Sequence, residues 1–345
     1  MQRARHARVW CHYFRTAALA GMIGIPAASA GGCSRAVAPV NAPASGQVLS
    51  NTYNGTAGKR AWRLYVPARP TVPRTMLVLL HGCLQTASDI AAGSRMDAVA
   101  EANGFLVLYP EQDVAANPRR CWNWFEEAHQ RRDSGEPGLL AALIADVVTT
   151  HHVDPNSVHI AGISAGAGMA GLVAVAYPER FATLSLVSGV AWRAATSVGR
   201  ALAVMKEGAG SAVPSADALL EAMAERARGI PALIIHGDKD AVLNARNGEE
   251  AAVQLVGVHN ALRRARGYPA LSASTTTMRT DNGYAVSEQR WRDDRGRTMV
   301  MLVRVAELGH AWSGGSAAGS FTDTRGPDTS RLIATFMATH PSLGK

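Results

Sequence analysis

Three side chains, each just past an apolar run, have the types and order needed to transfer an acyl group. The first is Ser164, in Gly162-Ile163-Ser164-Ala165-Gly166. A serine hydroxyl attacks a carbonyl only if a base removes its proton, and the base needs a carboxylate to hold its tautomer. His310, in Glu307-Leu308-Gly309-His310-Ala311-Trp312, is the candidate base, and Asp240, in His236-Gly237-Asp238-Lys239-Asp240, the candidate carboxylate. Asp240 is preferred to Asp238 because the loop must carry the carboxylate away from the strand end; Asp238 reads as a turn former. Among eleven histidines, His310 stands out by its order, its strand-end position and the glycine before it.

The flanking segments have to position these groups. Val158–Ala161 reads as a short buried strand and Ala165–Tyr177 as a helix of small and aliphatic residues. Ser164 therefore sits at a sharp strand-to-helix turn, the context of the G-x-S-x-G elbow. Ala232–Ile235 and Met299–Val305 are the strands that lead to Asp240 and His310. In open α/β sheets, sites gather at such carboxyl ends of strands. Met76–Leu80 is a further apolar strand, ending in His81-Gly82-Cys83. A strand ending in His-Gly resembles the segment that supplies one oxyanion-hole amide in hydrolases of this type, and the Ala165 amide would supply the other. Losing one such donor costs on the order of 3 kcal/mol of transition-state stabilisation. His81 itself reads as a brace for the loop. Gly166-Ala167-Gly168-Met169-Ala170-Gly171 also fits the dinucleotide fingerprint G-x-G-x-x-G. It lies mid-domain with no acid after the next strand, so nucleotide binding is set aside.

Together these residues resemble the polyhydroxybutyrate depolymerase family of α/β-hydrolase esterases, which includes feruloyl and acetylxylan esterase-like members. The resemblance rests on His81-Gly82-Cys83-Leu84-Gln85, Tyr109-Pro110-Glu111-Gln112, Cys121-Trp122-Asn123-Trp124-Phe125, Gly162–Gly166, His236-Gly237-Asp238 and Gly309-His310-Ala311-Trp312. It spans roughly residues 50–340. It implies a single α/β domain, a mostly parallel sheet with helices on both faces. It also implies a serine esterase with oxyanion donors at the amides of Cys83 and Ala165, a Cys83–Cys121 disulfide, and no metal or organic cofactor. The substrates implied are polyhydroxyalkanoate chains or oligomers, with feruloyl or acetyl esters of plant polysaccharide as the alternative. Depolymerases of solid polymer usually carry a further surface-binding domain. Here only a helix-like segment, Asp328–Thr339, follows His310, which argues against attack on crystalline polymer. A non-catalytic binding module is the remaining alternative, but such modules typically lose a triad member.

Trp122 and Trp124 fall in a stretch, residues 118–137, that reads as a loop over the site. Trp312 lies two residues after His310, so an extended backbone would turn both side chains the same way. All three tryptophans are candidate substrate contacts, with core packing the alternative for Trp312.

The N-terminus addresses location. Arg3, Arg5, Arg8 and Arg15 precede an apolar core at 17–25 and a small-residue site, Ala28-Ser29-Ala30. This reads as a secretory signal over 1–30, too short in its apolar part to span a membrane. An Ala/Gly/Pro/Ser-rich tether over 31–47 and a catalytic domain over 48–342 follow. The formal charge of +8 less those four arginines leaves +4. No basic run with interleaved aromatics occurs, so nucleic acid is not an expected partner. The reading is a secreted or periplasmic protein acting on an ester or polyester. Cys33, in Ala30-Gly31-Gly32-Cys33, is either a lipid-anchor site or an unpaired cysteine.

Between residues 272 and 305 the chain alternates apolar and polar, with Asp293-Asp294-Arg295-Gly296 as a turn. This predicts an antiparallel extension of the sheet. Helices are predicted over 90–102, 139–150, 217–228 and 251–263.

Overall fold

Continuous apolar strands such as Met76–Leu80 need cover on both faces, and the fold supplies it. A computed structural model of the chain describes residues 45–343. The signal peptide expected over 1–30, Cys33 and most of the tether lie outside the described residues. The strands are β1 (Gln47–Gly55), β2 (Gly58–Val66), β3 (Arg74–Leu80), β4 (Leu106–Pro110), β5 (Val153–Ile163), β6 (Leu184–Val187), β7 (Ala232–Gly237), β8 (Ser272–Ala273), β9 (Thr277–Asp281), β10 (Tyr284–Arg292), β11 (Thr298–Val305), β12 (Trp312–Ser313) and β13 (Thr322–Asp323). The helices are α1 (Ala87–Ser94), α2 (Met96–Asn103), α3 (Gly135–Thr150), α4 (Ala165–Ala176), α5 (Val198–Glu207), α6 (Ala216–Met223), α7 (Arg246–Ala265) and α8 (Thr329–Thr339).

The main sheet runs β1-β2-β4-β3-β5-β6-β7-β11-β10-β8, with β9 also paired to β10. From β4 to β11 every pairing is parallel. The flanks are antiparallel at β1–β2–β4 and at β10. This is the α/β-hydrolase fold. In β3, Met76, Val78 and Leu80 face one core while Leu77 and Leu79 face the other. The first core is closed by α3–α7, the second by α1, α2 and α8.

The elements around the site follow the sequence reading closely, and the differences have local causes. The helix expected over 90–102 is two, because Arg95 takes the left-handed conformation (φ 57°) between α1 and α2. The loop expected to run to Pro137 ends earlier, since α3 starts at Gly135. Pro137 lies in its first turn, where a missing N–H costs nothing. α7 starts at Arg246, earlier than expected, and α6 stops at Met223. The β1 strand begins at Gln47, inside the expected tether.

Trp312 requires a correction. Residues 310 and 311 form a bend, so the alternation that would have aimed its indole beside His310 does not hold. The side chain is fully buried in the second core, among Ile333 and Phe336 of α8. Its Nε1–H donates to Ser330 Oγ at 3.1 Å. Trp312→Ala is therefore expected to cost roughly 3–5 kcal/mol, the usual loss for a buried tryptophan, measured as the shift in a urea unfolding curve. An unchanged curve would contradict the core assignment.

Candidate active site

The β5–α4 turn is built to hold one side chain up. Ser164 has φ 58° and ψ −124°, a region that costs a non-glycine residue on the order of 1–3 kcal/mol. Its amide donates to Val187 O at 3.0 Å, which fixes the turn to β6. A Cβ on Gly162 would come 2.3 Å from Gly166 O, and one on Gly166 would come 2.3 Å from Leu80 O. The two glycines thus allow the helix start to close on both β5 and the end of β3. Ala165 is the first residue of α4, so its N–H has no acceptor within the helix. It points out from the positive end of a helix of twelve residues, where developing negative charge is favoured.

Asp240 and His310 meet across the ends of β7 and β11. His310 Nδ1 donates to Asp240 Oδ2 at 2.7 Å. Asp240 Oδ1 accepts from the amides of Leu243 and Val242 at 2.7 and 3.0 Å. His236 donates from Nε2 to Leu243 O at 2.8 Å and lies 3.4 Å from Asp240 Oδ2. Burial of this carboxylate alone would raise its pKa. Hydrogen bonds from His236 and His310 and the Leu243 amide outweigh it and hold Asp240 well below the usual carboxylate range. The carboxylate is therefore ionised, and Nδ1 of His310 is committed to it, while the ring lines the same cavity as Ser164. Asp238, by contrast, pairs with Arg304 at 2.8 Å on the surface.

Behind the His81–Cys83 loop lies a buried polar network. The His81 ring donates from Nδ1 to Gly82 O at 2.7 Å and accepts the Gln112 amide at Nε2, 3.0 Å away. Burial, the largest influence, lowers its pKa to about 4, so the ring is neutral and both nitrogens are used. Gln112 also bonds Arg60 and Glu136 through its side chain. Glu136 accepts from the Asn123 amide at 2.8 Å and from Asn123 Nδ2 at 3.0 Å. The Cys83–Cys121 disulfide closes the arrangement, with Cα atoms 4.2 Å apart. Among the described residues, the Cys83 N–H has no hydrogen-bond acceptor. It sits next to Gly82, whose own amide is held by Gln85 Oε1 at 2.8 Å.

A cavity of about 430 Å³ opens over Ser164, Ala165, Cys83 and His310. Trp124 lines it. Trp122 does not: it is fully buried behind the loop, donates from Nε1 to His81 O at 3.0 Å, and packs under Arg60. Its place as a substrate contact is corrected to a support of the loop. The sequence motifs do not mark the rest of the cavity wall. Val198, Leu202 and Met205 of α5, Val242, and Phe321 line it too. The i, i+4, i+7 spacing of the three α5 residues is a helix-face signal that was available in the sequence. Phe321 comes from the loop before β13, held over the site by Ser320, whose amide and hydroxyl bond Asp89. A larger recess of about 660 Å³ lies near the amino ends of β7 and β11. Its Arg263–Asp294 and Arg297–Asp293 pairs tie it to the surface network, and it contains none of these residues.

Comparison with known proteins agrees with this geometry. The family model described as "Esterase PHB depolymerase" matches residues 60–274. That span holds Ser164 and Asp240 and stops before His310. A poly(3-hydroxyalkanoate) depolymerase C of Paucimonas lemoignei is 31% identical over 204 residues, covering 56% of this chain and 47% of that protein. A feruloyl esterase B of Neurospora crassa is 30% identical over 128 residues, covering 37% of this chain and 43% of its own length. The chain thus spans less than half of either relative. Among solved structures, an acetyl xylan esterase from Aspergillus awamori superposes with a TM-score of 0.61 at 22% identity. The match covers 77% of this chain and 94% of that one, and at this identity it speaks for the fold.

The buried histidines give the structure a pH signature. Burial, in each case the largest cause, lowers His81 to about 4, His259 to about 4 and His159 to about 3. The unfolded chain protonates them near pH ~6.5, while the native fold does not. Their contribution to stability is therefore complete above about pH 6.5 and is lost as the pH falls toward about 4. The expected slope is up to about 1.4 kcal/mol per pH unit for each histidine, read from urea unfolding at several pH values. A flat profile between about pH 7 and about pH 5 would contradict the neutral burial of these rings.

Proposed function

This chain belongs to the PHB depolymerase family of esterases, and on that premise we propose that it is an exported serine esterase that cleaves polyhydroxyalkanoate chains or oligomers. The observation that carries this reading is the Asp240–His310 pair, 2.7 Å apart, which shares one apolar cavity with the strained Ser164 turn. Ser164 Oγ attacks the ester carbonyl while His310 Nε2 takes its proton. Asp240, held ionised, orients the ring and stabilises its cationic form. The amides of Cys83 and Ala165 face the oxygen on which negative charge develops. His310 then gives the proton to the leaving alcohol, and water cleaves the acyl-enzyme by the same route in reverse. Every step is carried by the chain's own groups and water.

The wall chemistry supports the choice of substrate. The cavity is bounded mainly by aliphatic and aromatic side chains such as Leu202, Met205, Val242 and Phe321. Such a wall suits a hydroxyacyl chain and gives few partners to sugar hydroxyls, which lose affinity when buried unpaired. Trp124 and Phe125, whose rings meet edge to face at 5.6 Å, keep an aryl acyl group as the second reading, the one relevant to feruloyl esters. Export is supported by the signal-like N-terminus and by the disulfide, a bond that persists in oxidising compartments.

Alanine at Ser164, Asp240 or His310 is expected to lower kcat by about a thousandfold or more with the fold retained, while Asp238→Ala stays near wild type. Hydroxybutyrate oligomers and methyl ferulate, incubated side by side, should yield mainly hydroxyacid products. Preferential release of ferulate would favour the second reading, and full activity in Asp240→Ala would remove the carboxylate assignment.

A further inference from the structure

Among the described residues that line the cavity around Ser164 and His310, Arg119 is the one Lys or Arg, and there is no Asp or Glu. The neighbouring Arg120 is engaged: it pairs with Glu111 at 2.9 Å and donates to Gln112 O at 3.2 Å. Arg120 adopts φ 52°, a left-handed conformation, and its guanidinium reaches Glu111 whereas Arg119 lines the cavity. Among the described residues, no carboxylate pairs with the Arg119 guanidinium.

Its backbone, in contrast, is firmly held. Arg119 O accepts the Leu84 amide at 2.7 Å, and its own amide donates to Asn117 Oδ1 at 3.0 Å. The Asn117 side chain is fixed in turn to Asn123 Oδ1 at 2.9 Å. The Cys83–Cys121 disulfide clamps the same two loops together. A guanidinium carried on a held backbone beside the His81–Cys83 loop, in a cavity lined mainly by apolar side chains, is a site for an anion. Its planar fork matches a carboxylate in two parallel hydrogen bonds.

We propose that Arg119 binds the free terminal carboxylate of hydroxyacyl oligomers and so directs cleavage to acid-ended chains. This rests on the polyester reading above. In such an oligomer the alcohol released by Ser164 carries the terminal acid a few bonds from the scissile oxygen. The carboxylate and the reacting carbonyl are thus held by one short segment. The guanidinium is exposed, so the interaction is screened by salt.

The test compares a 3-hydroxybutyrate dimer with the same dimer whose terminal acid is a primary amide, following cleavage of the internal ester. Wild type is expected to show roughly fivefold to tenfold higher kcat/KM on the acid, mostly through KM. That ratio should shrink as salt is raised. In Arg119→Gln the ratio should fall to about one, and in Arg119→Lys, which keeps charge but not the fork, it should lie between. Equal kcat/KM on the two dimers in wild type, or an undiminished ratio in Arg119→Gln, would overturn the carboxylate site and leave the polyester reading standing. Cleavage of neither dimer by wild type would overturn both.

Discussion

At Gly166 the first turn of α4 meets the backbone of Leu80 and His81 so closely that a single Cβ would lie 2.3 Å from one carbonyl oxygen and 2.4 Å from the next. That contact sets the distance between the Ser164 turn and the loop that follows β3. It therefore sets the separation of the two amides, Ala165 and Cys83, that are proposed to hold the oxyanion. The positive φ of Ser164 is the cost of the arrangement, and the hydrogen bond from its amide to Val187 O helps hold it. Larger residues at 162 or 166 would push the helix away from the sheet, and both functional loops would move with it.

The other half of the site depends on buried polar groups being satisfied, because an unpaired one costs about 1–3 kcal/mol. Under the oxyanion loop, His81, Gln112, Glu136 and Asn123 exchange hydrogen bonds among themselves and with the backbone. Closing the 38-residue separation between Cys83 and Cys121 adds roughly 3–4 kcal/mol in the chain-entropy picture. On the opposite side, the loop bearing Asp240 is tied to the loop bearing His310 through the backbone. Asp238 N donates to Val305 O and Lys239 N to Leu308 O, at 2.9 and 3.0 Å. Rigid donors and a fixed imidazole are what an acyl-transfer site requires, since reorganisation during reaction is the cost that preorganisation removes.

The parallel centre of the fold was legible because strands covered on both faces are apolar throughout, as in Met76–Leu80 and Ala232–Ile235. The Ser164, Asp240 and His310 positions were legible because each lies just past such a strand, and Gly162 and Gly166 mark the turn. Edge strand β1 was not legible, since Gln47–Gly55 is mostly exposed and lacks an apolar face. The tryptophans show the limit most clearly. All three indoles near the motifs were candidate contacts, with core packing the alternative for Trp312; one lines the cavity, one supports a loop from behind, and Trp312 is in the second core. A bend at residues 310–311 decides the last case, and no alternation pattern reports a bend. Glu136 and Arg60 were silent because their partners lie 13 to 52 residues away in sequence.

The central claim is that Ser164 is the nucleophile of an acyl-transfer site completed by His310 and Asp240. Its most direct test is mass spectrometry of the protein after reaction with a fluorophosphonate, which labels only an activated serine. The account requires a single adduct, located on the peptide containing Ser164 and strongly reduced in His310→Ala. An unlabelled protein that still cleaves esters, or an adduct on another residue, would contradict it.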